Sequence, residues 1–401
     1  MKIGVYGLPC AGKDTFNYKF IRQFNFFIAI KGSSNLDVIA MEKYSKYFKD
    51  LDDGKQAKIR RHFARCTLKS TDNLIIDGHF CFPKEDGYLT VLTDNDVKLY
   101  DIFIYLKVDP KTLHSRIAES EKNKLYQKLS IEDIKKWQNK EIEDLRDIAF
   151  NNHKEFLVLG QEYSESYKFL DLYLYYHTYF NAMEIAKRYI EEIKKLNCKN
   201  RKIAILDCDR TVSVEDTTIS YFDLNRGNKS KLKDIFDGDI YTVYQFYKQQ
   251  DLYKKFKIIP AHTDYEYNDL VLKQIDKLKK YNYTVVGLTS GIYEIWKNIN
   301  EQNNFFTALL GNDLNGEEIG IVSDFVKGYI CELLKKQGYK VTAIGDSMCD
   351  IYMLEESKGF IFAPGKVRPI VQNYFNHHKK TKIKQFLDNP YQYDGIKGVR
   401  V

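Results

Sequence analysis

Among its 401 residues the sequence holds only seven prolines and two tryptophans, no C-x-x-C pair and no low-complexity tract. No apolar run approaches the about 20 residues that a membrane-spanning helix needs, so no membrane segment is expected. The seven cysteines (Cys10, Cys66, Cys81, Cys198, Cys208, Cys331 and Cys349) are odd in number and lack metal-ligand spacing. That excludes a disulfide framework or zinc knuckle and points to a reducing, cytoplasmic setting. The opening MKIGVYGL has neither the apolar stretch nor the small-residue cleavage site of a secretory leader. Scarce proline beside 31 Tyr and 25 Phe excludes a disordered chain. A net charge of +7 suits phosphorylated ligands but is too small to require nucleic acid.

What remains is a soluble α/β pattern. Through residue 160, short apolar strands expected over 3–6, 26–30, 74–76 and 102–108 alternate with amphipathic stretches long enough for helical crossovers. One long helical stretch is expected over 164–196, and the polar run 197–202 marks a boundary. A second series starts at Lys202, with strands over 284–288, 341–344 and 359–363 and helices over 267–280 and 328–337. The expected fold is two doubly wound parallel-sheet domains. The divisions are a first domain over 1–163, a helical connector over 164–200, a second domain over 201–375 with an aromatic, charged insertion near 214–265, and a tail over 376–401. That tail is basic (His377, His378, Lys379, Lys380, Lys382, Lys384) and reads as a solvated end.

Residues 7–15, GLPCAGKDT, fit G-x4-G-K with Gly7, Gly12 and Lys13 in place. Such a loop needs glycines because its backbone N–H groups must curl round a phosphate. The following helix adds its positive end to the same anion. Lys13 would reach the β- and γ-phosphates of ATP. Asp14 stands where Ser or Thr usually meets magnesium, and Thr15 could serve from the next position. This segment resembles the P-loop nucleotide and small-metabolite kinases, some of which carry the GKDT form. The resemblance implies that Asp77, ending NLIID, orients the acceptor hydroxyl or holds Mg²⁺ through water, with His79 beside it. It implies a lid over 118–128, and makes Arg116 the candidate for the transferring phosphoryl group, with Arg146 second.

ILDCDRTV (205–212) is D-x-D-x-T at the end of an apolar strand. The i, i+2 spacing turns two carboxylates into one cleft, and two anions beside a phosphate require a cation. The motif resembles that of the haloacid-dehalogenase (HAD) phosphatases. In that resemblance Asp207 is the nucleophile that forms an aspartyl-phosphate and Asp209 is the general acid and base. VVGLTSG (285–291) supplies Ser290, or Thr289, for a phosphoryl oxygen. FVKGYIC (325–331) supplies Lys327. AIGDSMCDIYML (343–354) supplies Asp346 and Asp350, so the expected Mg²⁺ carboxylates are Asp207, Asp209, Asp346 and Asp350. Over roughly 200–370 the likeness is to the phosphoserine-phosphatase branch. That branch has Glu nine residues after the nucleophile, where this sequence has Asp216 next to Glu215.

The two halves imply a bifunctional enzyme: an ATP-dependent kinase followed by a Mg²⁺-dependent phosphomonoesterase, on a small phosphorylated metabolite or nucleotide. The order of halves is also similar to polynucleotide 5′-kinase/3′-phosphatases of nucleic-acid end repair. An insertion that roofs the cleft suits a small substrate. Lys229, Lys231, Lys233, Tyr241, Tyr244 and Tyr247 within it keep a nucleic-acid partner open. A nucleotide-sensing regulator with an inactive kinase half is the third reading, on the strength of Asp14.

Overall fold

Ile3, Val5 and Tyr6 are fully or almost fully buried along strand β1 (Lys2–Tyr6). A strand covered on both faces belongs inside a parallel sheet. β1 lies between β3 (Asn73–Asp77) and β6 (Ile102–Leu106), with β2 (Phe27–Ile30) and β7 (Glu155–Leu159) at the edges. All pairings in this five-stranded sheet are parallel. The strands β4 (Cys81–Lys84) and β5 (Gly87–Thr90) form a separate antiparallel hairpin. This computed structural model describes residues 1–160, 163–196, 201–226, 232, 234–236, 241–254, 265–312, 320–363, 368–378, 381–386 and 398–399. The chain divides into two units, Met1–Leu174 and Tyr175–Val401, each with its own parallel sheet.

The first unit carries helices α1 (Lys13–Gln23), α2 (Gly32–Tyr44), α3 (Asp53–Leu68), α4 (Asp94–Leu99), α5 (Pro110–Ala118), α6 (Ile131–Asn151) and α7 (Tyr163–Tyr175). α6 starts where a Ser130–Asp133 capping box satisfies free N–H groups at its N-terminus. Its buried stripe runs Ile134, Trp137, Gln138, Glu141, Ile142, Leu145, Arg146, Ala149 and Phe150, apolar apart from Gln138, Glu141 and Arg146. Gln138 uses its amide to bond both N–H and C=O of Val108, each at 3.0 Å.

The single helix expected over 164–196 is broken. α7 is followed by the short α8 (His177–Phe180) and then α9 (Ala182–Lys195). Tyr176 and Asn181 leave helical geometry, and the Asn181 side chain accepts from the Glu184 N–H to start α9 afresh.

In the second unit the seven-stranded sheet runs β10-β9-β8-β11-β12-β13-β14. β8 (Lys202–Asp207) sits between β9 (Thr284–Thr289) and β11 (Lys340–Gly345), in register Asp207↔Leu288 and Leu206↔Ile344. β10 (Ala308–Gly311) and β12 (Lys358–Phe362) extend it. The tail is not wholly solvated, contrary to the reading of its charge. β13 (Lys384–Phe386) pairs with β12 and β14 (Gly398–Val399) pairs with β13. Ile383 and Gln385 are buried while Lys382 is exposed, a period-two alternation that the run of lysines obscures. Lys379 and Lys380 lie outside the described residues, as do 197–200 of the expected boundary.

The insertion contributes α10 (Thr217–Arg226) and α11 (Val243–Lys254). Its two ends are tied together: Val214 N–H donates to Glu266 at 2.8 Å, and Asn268 Nδ2 donates to the carbonyls of Thr211 (2.7 Å) and Ser213 (2.8 Å). Below it lie helices α12 (Asp269–Lys280), α13 (Tyr293–Asn303), α14 (Asp324–Lys336), α15 (Ile351–Glu355) and α16 (Pro369–His377). Trp296 of α13, wholly buried, packs with Leu206, Val285 and Phe306 in this unit's core. The cap lysines Lys229, Lys231 and Lys233 lie outside the described residues.

Candidate active sites

In the first unit, the turn after β1 closes on itself through Ala11 N–H to Leu8 O (3.1 Å). Gly12 takes φ +88°, a left-handed conformation that side chains resist, and begins α1. Lys13, buried, points its Nζ back over the loop to the carbonyls of Gly7 (2.5 Å) and Leu8 (3.2 Å). Burial pushes the Lys13 ammonium down, opposed by Glu141, Asp77 and Asp14. Asp14 is exposed and paired with Lys31 at 2.9 Å, and Thr15 beside it is exposed as well.

Register Val5↔Asp77 brings the end of β3 level with the start of the loop. Asp77 accepts from Gly32 N–H at 2.7 Å, and burial raises its carboxyl while that bond and Lys13 oppose. His79 is held neutral: burial lowers it well below the usual range, with Lys13 and Arg60 adding to the effect. Among the described residues its buried Nδ1 has no hydrogen-bond partner. Arg116 closes on the loop, Nη1 donating to Cys10 O at 3.4 Å, and Asn123 reaches Cys10 Sγ at 3.3 Å. The segment expected to be a lid contains a 3₁₀ turn (Glu121–Tyr126) whose Asn123 meets the loop at Cys10. Arg146 is instead buried within α6.

Sequence reading missed Glu141. This wholly buried acid accepts from Tyr105 Oη (2.9 Å) and Cys81 N–H (3.1 Å), and burial raises its carboxyl. A charged residue on the apolar stripe of α6 was the available signal. A cavity of about 220 Å³ lies between α3 and the segment 89–94, lined by Gln56, Arg60 and Arg61 among others.

In the second unit, β8 and β11 deliver Asp207 and Asp346 from adjacent strand ends, and a 3₁₀ turn (Met348–Asp350) delivers Asp350. Carboxylate oxygens of Asp207, Asp346 and Asp350 all lie within 4.8 Å of one another. Lys327 of α14, almost wholly buried, donates to Asp207 at 2.6 Å and to Asp350 at 2.8 Å. The other oxygen of Asp350, Oδ2, accepts from Ser347 Oγ (2.9 Å), Ser347 N–H (3.1 Å) and Asp346 N–H (3.2 Å). Burial, then Asp350, push Asp207 up to about 7 against the pull of Lys327. Burial lowers the Lys327 ammonium, yet Asp207 and Asp350 hold it well above its usual value. Three carboxylates face one ammonium, Lys327, and one guanidinium, Arg368 at Asp346, which leaves the cluster a net negative charge of at most one. An all-oxygen donor set of this kind fits a hard divalent cation such as Mg²⁺.

Asp209 does not join that cluster, which corrects the four-carboxylate expectation. Its Oδ1 accepts from Thr217 N–H (2.7 Å) and Thr217 Oγ1 (2.6 Å), and Thr289 Oγ1 approaches Oδ2 at 3.5 Å. The side chain is therefore committed to the start of α10. Burial, then Asp216, raise it to about 6. Ser290 follows β9 with its Oγ 3.6 Å from Cys349 Sγ, next in sequence to Asp350. Asp216 accepts from Ile219 N–H at 3.0 Å, and Glu215 accepts from Ser220 Oγ at 2.6 Å.

Three residues at the mouth were not singled out for this site's chemistry. Arg210 pairs with Asp216 at 3.7 Å. Arg368 contacts Asp346. Tyr241, from the insertion, feels both arginines, Cys349 and Asp350, and burial is the main cause of its rise to about 12. Arg210 directly follows the D-x-D pair and could have been flagged; Arg368 has no sequence signal.

Residues 6–147 match a family model described as an AAA domain, and the N-terminal half holds a P-loop kinase-like domain. No curated protein matches the chain. Among solved structures, a phosphoserine phosphatase with a phospho-aspartyl intermediate analogue is 20% identical, covering 45% of this chain and 91% of its own, with TM-score 0.35. A substrate-bound phosphoserine phosphatase is 18% identical, covering 43% and 90%, with TM-score 0.33. A shikimate kinase from Bacteroides thetaiotaomicron is 16% identical, covering 43% and 98%, with TM-score 0.31.

Proposed function

We propose that the chain is a bifunctional phosphoryl-transfer enzyme: an ATP-dependent kinase in its first unit and a Mg²⁺-dependent phosphomonoesterase in its second, on a small phosphorylated metabolite or nucleotide. One observation carries the second half. Lys327 bridges Asp207 and Asp350 inside a three-carboxylate cluster that also includes Asp346.

Bound Mg²⁺ supplies charge that lets an anionic nucleophile approach an anionic ester. Asp207 attacks phosphorus, the ester P–O bond breaks, and Asp209 gives its proton to the departing oxygen. Asp209, raised to about 6, keeps a useful protonated fraction near neutrality. Asp209 then takes a proton from the water that attacks the aspartyl-phosphate. Inorganic phosphate leaves and Asp207 is restored. Ser290 binds a phosphoryl oxygen, and Lys327 opposes the rise of Asp207 and aims its carboxylate.

In the kinase half, Lys13 leaves the loop carbonyls for the β/γ-phosphates, and the N–H groups of the Gly7–Gly12 turn line the remainder. Asp77 accepts the hydrogen bond of the acceptor hydroxyl. Arg116, already seated on Cys10 O, neutralises charge on the moving phosphoryl group. The cavity beside Arg60 and Arg61 is a suitable place for the body of the acceptor.

The packed cap favours a small substrate over a polynucleotide. Tyr244 is buried, and Tyr241 packs with Phe236 and Phe246 at ring separations of 5.6 and 6.2 Å. Phosphate release from a panel of nucleotides, sugar phosphates, phosphoamino acids and 3′-phosphorylated oligonucleotides, with Mg²⁺, tests the hydrolase. Asp207→Asn is expected to lower it by about three orders of magnitude or more; parental turnover by that variant would sink the assignment. Nucleotide binding without ATP turnover in the first unit would favour the regulator reading instead.

A further inference from the structure

On adjacent turns of α6, two polar side chains sit where packing alone would place apolar ones. Gln138 and Glu141 are both buried, Glu141 wholly so. Among the described residues Glu141 makes no ion pair, and its carboxyl meets only two hydrogen-bond donors. A buried carboxylate without a paired cation costs stability, so the core does not call for it.

What these two residues hold is the pertinent observation. Glu141 accepts from Cys81 N–H at 3.1 Å and from Tyr105 Oη at 2.9 Å. Cys81 opens β4 just downstream of Asp77, and between them Gly78 N–H is tied to Val5 O at 2.9 Å. The stretch that carries Asp77 and His79 is thereby pinned at both ends. Gln138 bonds both backbone groups of Val108, the residue before the Asp109 cap of α5. α5 carries Arg116, whose Nη1 reaches Cys10 O of the phosphate loop. Trp137, next to Gln138, packs on Tyr126 of the 3₁₀ turn at 5.2 Å and on Phe82 of β4 at 6.5 Å between ring centres. One helix thus gathers the segment bearing Asp77, the entry to the helix bearing Arg116, and the turn whose Asn123 meets the loop at Cys10.

We propose that Gln138 and Glu141 are positioning residues of the kinase centre, a brace on α6 that fixes Asp77 and Arg116 relative to each other across the phosphate loop. This rests on the kinase reading above and adds the groups that hold its geometry. Asp77 meets the acceptor hydroxyl and Arg116 the moving phosphoryl group in the same step, so their spacing governs the rate. A misplacement of about 1 Å costs about 10²-fold in such a reaction. Bonds from α6 to main chain and to Tyr105 set that spacing without touching a substrate. The competing account, that the pair only satisfies buried N–H and C=O groups, gives it weight in stability alone.

The test uses the full chain with ATP and Mg²⁺ and follows ADP release. Adenosine, glucose, shikimate and a 5′-hydroxyl oligonucleotide serve in turn as acceptor, and water alone as the fifth condition. Rates are taken per folded molecule in the fastest of these conditions. Glu141→Met removes both bonds at similar volume and is expected to lower kcat by about 10²-fold, while the Kd of a fluorescent ATP analogue stays near parental. Glu141→Gln keeps both contacts, its amide oxygen accepting from Cys81 N–H and its amide N–H donating to Tyr105 Oη, and is expected to retain kcat. Gln138→Met lowers kcat as Glu141→Met does. Leu170→Ala opens a cavity in α7, outside the brace, and lowers the melting temperature without lowering kcat. In an Asp77→Asn background Glu141→Met adds little further loss, because it acts through Asp77. Should Glu141→Met not fold, Tyr105→Phe, which drops one bond, is read in its place with the same signs. Parental kcat in Glu141→Met, an equal loss in Glu141→Gln, a loss explained by ATP affinity, or a full further loss on top of Asp77→Asn overturns the brace. No ADP release from the parental chain in any condition removes the kinase reading itself, and the brace with it.

Discussion

At Lys327 a single ammonium lies between two buried carboxylates, 2.6 Å from Asp207 and 2.8 Å from Asp350. Removing one partner of such a buried group costs about 3–5 kcal/mol, because the remaining charges are left uncompensated. Lys327→Met is therefore expected to lower the melting temperature in chelator by several degrees, with partial recovery in Mg²⁺. A thermal melt identical to the parent's would contradict the ion triad. Protonation makes a related forecast. Asp207 and Asp209 are raised to about 7 and about 6, above the unfolded carboxylate value of about 3.9. The folded state then binds more protons than the unfolded state between roughly pH 4 and 7, so this contribution to stability falls as pH rises through that window. Melts in chelator are expected to drop from pH 5 to pH 8, and Mg²⁺ to raise the pH 8 value more than the pH 5 value. Asp209→Asn tests the proton donor separately. In kcat/KM, which reports the steps up to the aspartyl-phosphate, it should slow an alkyl phosphate by about 10²–10⁴-fold but p-nitrophenyl phosphate far less, since nitrophenolate leaves without a proton. Equal losses would remove Asp209 from that role.

Strand ends made most of these elements readable in advance. Apolar runs closing in Asp77, Asp207, Thr289 and Gly345 were visible as β3, β8, β9 and β11, because a buried parallel strand is hydrophobic on both faces and stops where polar chemistry starts. β7 and β10 were not picked out. The break between α7 and α9 was hidden because the sequence keeps helical composition through it, and only the Asn181 cap reveals the restart. Glu141 and Arg368 escaped notice because burial beside Lys13, or contact with Asp346, is set by packing between remote segments rather than by spacing. Asp209 was assigned to the cation because D-x-D spacing brings both acids near, whereas the fold gives it to Thr217. One element-scale consequence concerns the end of β11. A Cβ on Gly345 would sit 2.5 Å from Asp350 Cβ and 2.6 Å from its Cγ. Gly345→Ala is expected to weaken Mg²⁺ affinity by displacing Asp350, while far-ultraviolet circular dichroism keeps its parental shape. Unaltered Mg²⁺ dependence would show that the turn absorbs the methyl group.

Across the whole molecule, each unit completes its own candidate centre from its own residues. Lys13→Ala is accordingly expected to lower ATP-dependent transfer by about 10²–10³-fold without changing phosphate release, and Asp207→Asn to do the reverse. Cross-loss in both assays would argue for coupled centres. The presence of two α/β halves was apparent from the second series of strands after Lys202, whereas the participation of 384–386 in the sheet was concealed by surrounding lysines. The pairing of β8 with β11 has a kinetic corollary. Asp207 and Asp346 meet only after strands far apart in the chain have docked in register, Leu206 opposite Ile344. No early, locally ordered species can offer that oxygen cage. The ion should therefore engage on the native side of the folding barrier, so that adding it slows denaturant-driven unfolding in a stopped-flow trace and leaves the refolding limb nearly where it was.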